Sequence, residues 1–175
     1  MKSNNRGFDC DRNAKNDFTA STYSYYSYNT GITFFESTSA STLVPFGDDR
    51  AWVSSRMDLY IQWDTPYYHI IFPTEIKERD FPSDKDFIMK EGAYINPEKI
   101  EVVKEEINKG NIPLWAEVYT DKIRVWNLTK IDLDTLQVKY VPIKRYDIYN
   151  GPKVMQKRFL LPVSAATAEY RRIKG

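Results

Sequence analysis

Three charged residues interrupt a pair of apolar, strand-like segments in RMDLYIQWDTPYYHIIFPTEIKERDF (residues 56–81): Asp58, Glu75 and Lys77. Glu75 and Lys77 lie two apart, so on a strand they share a face while Ile76 points the other way. An even turn centred on Thr65-Pro66 predicts that Trp63 faces Tyr68, Leu59 faces Phe72 and Asp58 faces Pro73. Asp58 then joins the face of Glu75 and Lys77, one diagonal step away. An odd loop, or a bulge at Pro73, reverses that relation. Two carboxylates and an ammonium group on one face have a definite use. Asp58 and Glu75 suit Mg²⁺ (or Mn²⁺), a hard ion that takes few carboxylates and keeps several waters, and the Ile76 carbonyl offers a third oxygen. Such an ion polarises a phosphate and acidifies a bound water, with Lys77 orienting that water or neutralising developing charge. Phosphodiester hydrolysis is the reaction class that needs this combination. The plainer alternative is a charged strand end, with Glu75, Lys77, Glu78 and Arg79 in exposed ion pairs worth about 0–1 kcal/mol each.

The surrounding elements must position these groups. Ala51–Trp63 alternates as a strand, Asp64-Thr65-Pro66 supplies turn chemistry, and Tyr67–Lys77 is rich in β-branched and aromatic residues. A polar connection, 81–92, leads to the clearest helix, Asn96–Gly110. Asn96 suits the N-cap, Pro97 the first turn and Gly110 the stop, and Ile100, Val103 and Ile107 form an apolar stripe. Pro113–Tyr119 and Lys122–Leu128 read as a hairpin around Thr120-Asp121, Leu136–Val141 as a further strand, and Ser164–Ile173 as a short helix. Thr33-Phe-Phe-Glu36 has the form of a capping box before a short helix through Leu43. Residues 1–30 carry no sustained period and read as an irregular, Asn/Ser/Tyr-rich arm, leaving 31–175 as a single domain. Tyr23, Tyr25, Tyr26 and Tyr28 suit either stacking on bases or docking the arm onto the domain or a partner. The order of elements predicts an α/β (α+β) fold with a central mixed β-sheet flanked by helices.

Asp58, a sixteen-residue spacer and Glu75-Ile76-Lys77 resemble the PD-(D/E)xK, restriction-endonuclease-like nuclease superfamily. The likeness spans roughly residues 36–128 in element order. It implies that Asp58 and Glu75 bind the metal, that Lys77 is catalytic and that a helix-borne glutamate completes the site. Glu36, the one acidic residue between Asp17 and Asp48, is the candidate for that role. Met57 stands where the family name has proline. The resemblance implies DNA as substrate and a homodimer as one candidate assembly, because cutting two strands commonly takes two sites.

Bulk properties set limits. The 175-residue chain is 42% apolar and 28% charged, ordinary for a globular domain with a core of its own. Its single cysteine, Cys10, makes no internal disulfide, and its single histidine, His69, excludes sites that need two. His69 reads as a strand residue with a satisfied ring, and Asp132 and Asp134 as a turn-flanking pair. The glycines are scattered, so no phosphate loop is present. No apolar run reaches membrane-spanning length and the first twenty residues are polar, which predicts a cytoplasmic location. Residues 139–175 carry nine Lys/Arg against Asp147 and Glu169, whereas the preceding 138 residues sum to −6. That basic end makes Lys144, Arg145, Lys157 and Arg158 candidate phosphate contacts. The rival to a nuclease is a non-catalytic binding or assembly module, such as a structural component of a phage or mobile element. It would use the tyrosine-rich arm and the basic C-terminal segment.

Overall fold

The structure is a computed structural model that describes residues 5–26, 31–36, 41–46, 49–54, 57–84, 91–143 and 154–175; side chains at 5–12, 35–36, 41–46, 49–54, 143 and 154 lie outside that description. A six-stranded mixed sheet organises the chain. Its strands are β1 (Ile32–Glu36), β4 (Leu59–Asp64), β5 (His69–Glu78), β7 (Leu114–Val118), β8 (Lys122–Asn127) and β11 (Ala168–Arg171), paired in that order. β5 and β7 run parallel and the other neighbours antiparallel. The parallel pair needs a crossover, which β6 (Gly92–Ile95) and helix α2 (Pro97–Asn108) provide. Two smaller antiparallel sheets accompany it: β6, β10 (Val154–Pro162) and β9 (Val138–Ile143) form one, β2 (Ser41–Phe46) and β3 (Asp49–Ser54) the other. The architecture is α+β with a mixed sheet.

Each face of the large sheet carries its own core. On one face, Ala14 and Phe18 of helix α1 (Asn5–Tyr25) pack with Leu59, Ile61, Ile76, Val118 and Tyr170. On the other, Ile100 and Val103 of α2 meet Met57, Ile95, Trp115 and Trp126. Alternation along β5 and β7 separates the two, so Ile76 belongs to the α1 side while Trp115 lies under α2.

Helix α2 forms where its punctuation puts it. Pro97 opens it after Asn96, which has the extended backbone of an N-cap but makes no side-chain cap bond. It closes in a Schellman motif: Gly110 N–H donates to Ile107 O (2.9 Å) and Asn111 N–H to Glu106 O (3.0 Å). Gly110 has φ +85°, and a Cβ there would touch nothing within 4 Å. Gly110→Ala therefore isolates left-handed backbone strain, and we expect a loss of about 1 kcal/mol in urea unfolding.

Several expectations are corrected. Residues 5–25 form α1 rather than an irregular arm, because its buried stripe is partly polar and held by tertiary contacts. Asp17, Ser21 and Thr22 are buried and bond to Arg172, Ile173 and Tyr170. Tyr25 stacks on Tyr170 with centroids 4.6 Å apart and Tyr23 tilts against Phe34, the docking role; Tyr28 lies outside the described residues. Residues 32–36 and 41–46 are strands instead of a capped helix. β1 pairs with β4 along its length, and that ladder prevails over the weak Ser/Thr-rich helix signal. The expected Ala51–Trp63 strand divides into β3 and β4. At the C-terminal end, 168–171 is a strand, not a helix, recruited to the edge of β8 after a single 3₁₀ turn at Val163–Ala165.

Candidate active site

The β4–β5 hairpin sets the geometry. Its closing pair is Asp64↔His69 and its last pair Leu59↔Thr74, so the connection is the four residues Thr65–Tyr68. The even parity holds, but the register is shifted by two from a turn centred on Thr65-Pro66. The cause is local: Thr65 Oγ1 accepts the amides of Tyr67 and Tyr68 (3.3 and 2.8 Å), and Thr65 N–H donates to Tyr68 O (2.8 Å). This hydroxyl-capped loop absorbs two residues more than a tight turn. Asp64 and the His69 ring bond each other beside it, and Gln62 donates to Asp64, which holds the Asp64 carboxyl below its ordinary range. His69 is thus the satisfied strand histidine.

One step beyond the last pair, the same register places Asp58 opposite Glu75. β4 has not yet begun there, and the Asp58 side chain fills the gap: Ile76 N–H donates to Asp58 Oδ2 (3.0 Å). A strand residue presents its N–H and C=O on the same side, so the Ile76 carbonyl turns to that gap as well. Glu75 lies on the α2 side of the sheet, 2% exposed, between two ammonium groups. Lys77 Nζ is 2.8 Å from Oε1, and Lys99 Nζ, from the first turn of α2, is 3.0 Å from Oε2. The Lys99 approach is that of an ion pair rather than a well-aligned hydrogen bond. Lys77 keeps 36% of its side-chain area in water and reaches to 5.8 Å from the Trp115 ring centroid.

The charges tune one another. Burial first, and then the Glu75 charge, hold the Asp58 carboxyl above the ordinary aspartate range, against the pull of Lys77, the Ile76 amide and Lys99. Burial would push Glu75 up too, but Lys77 and Lys99 outweigh it and keep that carboxyl below the usual range. For Lys77, burial would favour the neutral amine, and Glu75 and Asp58 overcome it, so the ammonium form persists. A folded-state pKa raised above the unfolded value makes ionised Asp58 destabilising at neutral pH; the penalty begins to fall as pH drops through the folded-state pKa and is gone below the unfolded-state one. Asp58→Asn, which keeps an oxygen for the Ile76 amide, is therefore expected to raise the Tm of the metal-free protein at neutral pH. The gain should shrink in acid, as a melting series in EDTA across pH will show.

A buried network continues from this cluster. On β7, opposite Lys77, Glu117 is fully buried and accepts from Arg79 Nε (2.6 Å), Arg79 Nη2 (3.1 Å) and Trp115 Nε1 (3.0 Å). Burial, and then the Glu117 charge, push the neighbouring Tyr119 hydroxyl up to about 12.

The structure thus gathers Asp58, Glu75, Ile76 and Lys77, and adds Lys99, which the sequence reading missed. The available signal was spacing: Lys99, Val103 and Glu106 follow i, i+4, i+7 and all are buried, but two of the three are charged. Glu36 is borne by a strand, not a helix: it ends β1, paired with Leu59, and its side chain lies outside the description. Lys157 and Arg158 are on β10, away from the chain terminus and adjacent in sequence, so they leave the strand on opposite faces. Lys157 lies 5.2 Å from the Phe159 ring centroid, and Arg158 is half-buried near Glu98. Lys144 and Arg145 lie outside the described residues. Asp134 pairs with Lys104, and its amide bonds to Asp132, a turn arrangement.

Among the described residues, no three His, Cys, Asp or Glu side chains gather as a metal cage. The donors here are two carboxylates and a backbone carbonyl, which suits an ion that keeps most of its waters. A cavity of about 290 Å³, lined by Phe18, Tyr26, Trp63 and Tyr170 among others, lies on the α1 side and shares none of these groups. No described helix is long and apolar enough to cross a membrane. No protein-family model matches the sequence, and no curated protein matches it.

Proposed function

We propose that this protein is a metal-dependent nuclease of restriction-endonuclease-like fold that hydrolyses phosphodiester bonds of DNA. The order α1, β1, β4, β5, α2, β7 supports the fold, with helices on opposite faces and a parallel β5–β7 pair. The observation that carries the chemistry is the Asp58 carboxylate seated on the Ile76 amide, between Glu75 and Lys77. Asp58, Glu75 and the Ile76 carbonyl would hold Mg²⁺ or Mn²⁺. When bound, the ion supplies Lewis acidity toward a phosphate oxygen and acidifies its water.

The chain's own groups do the rest. Both oxygens of Glu75 are engaged by ammonium groups, and the half-exposed Lys77 is the one free to leave. Once released from Oε1, Lys77 stays beside the gap as a donor that orients water and meets charge developing on the phosphate. Lys157 and Arg158, with Lys144 and Arg145, are the proposed phosphate contacts, and a second copy of the chain is the proposed partner for cutting both strands.

One observation favours a binding or assembly module instead: Glu75 is nearly sealed and fully ion-paired, as a structural carboxylate would be. Incubating the protein with plasmid and branched DNA, in Mg²⁺ or Mn²⁺ and then with excess EDTA, separates the readings. Metal-dependent cleavage abolished by EDTA supports the nuclease; DNA bound but never cut supports the module.

A further inference from the structure

The two sides of the Glu75 carboxylate are chemically unequal. Oε1 meets Lys77, which is 36% exposed, and Oε2 meets Lys99, which is 3% exposed and anchored in the first turn of α2. We propose that Lys99 is a built-in second cation: the site takes a single divalent ion, on Asp58 and Glu75 Oε1, and retains the Lys99 ammonium on Oε2. This rests on the metal-binding reading above and specifies its stoichiometry.

An ion arriving from solvent displaces the ammonium that can follow its charge into water, and Lys77 can. Lys99, 3% exposed and anchored in the first turn of α2, has no such route to solvent. Charge then sets the count: the formal charges of Asp58, Glu75, Lys77 and Lys99 sum to zero, and Lys77, though off Oε1, stays beside the gap. One divalent ion already gives these groups a net positive charge, whereas a second would concentrate a large positive charge beneath α2. Lys99 is thus a positioning residue. It neutralises the inner oxygen of Glu75 and leaves only the outer one for the metal, and it has no contact with the scissile phosphate.

The test is Mn²⁺ binding to the full chain without DNA, read by calorimetry and by electron paramagnetic resonance of free Mn²⁺. Wild type is expected to bind one Mn²⁺ per chain at this site. Lys99→Met removes a like charge from beside the ion and is expected to bind Mn²⁺ at least about tenfold more tightly, while Lys99→Arg keeps wild-type affinity and stoichiometry. Two ions per wild-type chain, both lost in Asp58→Asn, would overturn the inference, as would unchanged affinity in a folded Lys99→Met. If Lys99→Met does not fold, wild-type stoichiometry and Lys99→Arg decide the matter. Two ions with cleavage intact overturn the role of Lys99 alone; no Mn²⁺ bound at all overturns the nuclease reading with it.

Discussion

Lys77→Ala is expected to lower metal-dependent cleavage at least about a hundredfold, with the loss in kcat and not in metal affinity. The split follows from what Lys77 touches. In the metal-free protein it occupies Glu75 Oε1, so it competes with the ion for that oxygen, and its removal leaves metal binding equal or tighter. In the proposed reaction it is a solvent-facing cation beside the gap, so its removal would subtract a donor from the transition state. The fold should survive, because Lys99 still neutralises Glu75 from the buried side and the Lys77 side chain is already partly exposed. Plasmid nicking kinetics with a parallel Mn²⁺ titration measure both quantities. Cleavage within about threefold of wild type would reduce Glu75–Lys77 to an ion pair with no catalytic part.

Glu117→Ala is expected to destabilise the protein by about 3–5 kcal/mol, a fall of roughly 6–20 °C in Tm for a chain this long. Glu117 satisfies three donors at once, two on Arg79 and one on the buried Trp115 indole. Alanine takes their shared acceptor from the partly buried Arg79 guanidinium and the buried Trp115 indole N–H, and opens space where β5 and β7 run side by side. Glu117→Gln retains an acceptor for Trp115 and should lose clearly less. Urea unfolding of both variants checks the order. A loss under about 1 kcal/mol for the alanine variant would mean that solvent reaches Arg79 readily enough to replace the carboxylate.

The contrast between α2 and α1 explains how far the sequence could be read. α2 was legible because an apolar stripe coincides with Asn96, Pro97 and Gly110, local signals that need no partner. α1 was not, because its buried face includes Asp17, Ser21 and Thr22, whose burial makes sense only once Arg172, Tyr170 and Ile173 arrive from the far end of the chain. The same division runs through the site. That Asp58, Glu75 and Lys77 share a face depends only on the even parity of one loop, and it was recoverable. The register depended on the Thr65 hydroxyl choosing two amides, and Lys99 on a charged side chain taking a core position; neither shows in an apolar pattern. The C-terminal strand was missed because a four-residue edge strand draws its pairing from β8 rather than from its own propensity.

The anchors of α1 have a consequence for how the protein is made. Arg172 grips Asp17 (2.7 Å), Tyr170 meets Thr22 (2.6 Å), and Gly175 N–H donates to Asp17 Oδ1 (2.9 Å). These contacts join residues 148–158 positions apart. On a ribosome, the helix emerges well before its clasp, by roughly 8–30 s at ordinary elongation rates. Through that interval Leu59, Ile61, Ile76 and Val118 can already be in a sheet whose α1 side is open, so the nascent chain displays a large apolar surface while the α2 side is already covered. Chaperone binding should therefore peak late in synthesis and end abruptly once residues 170–175 clear the exit tunnel.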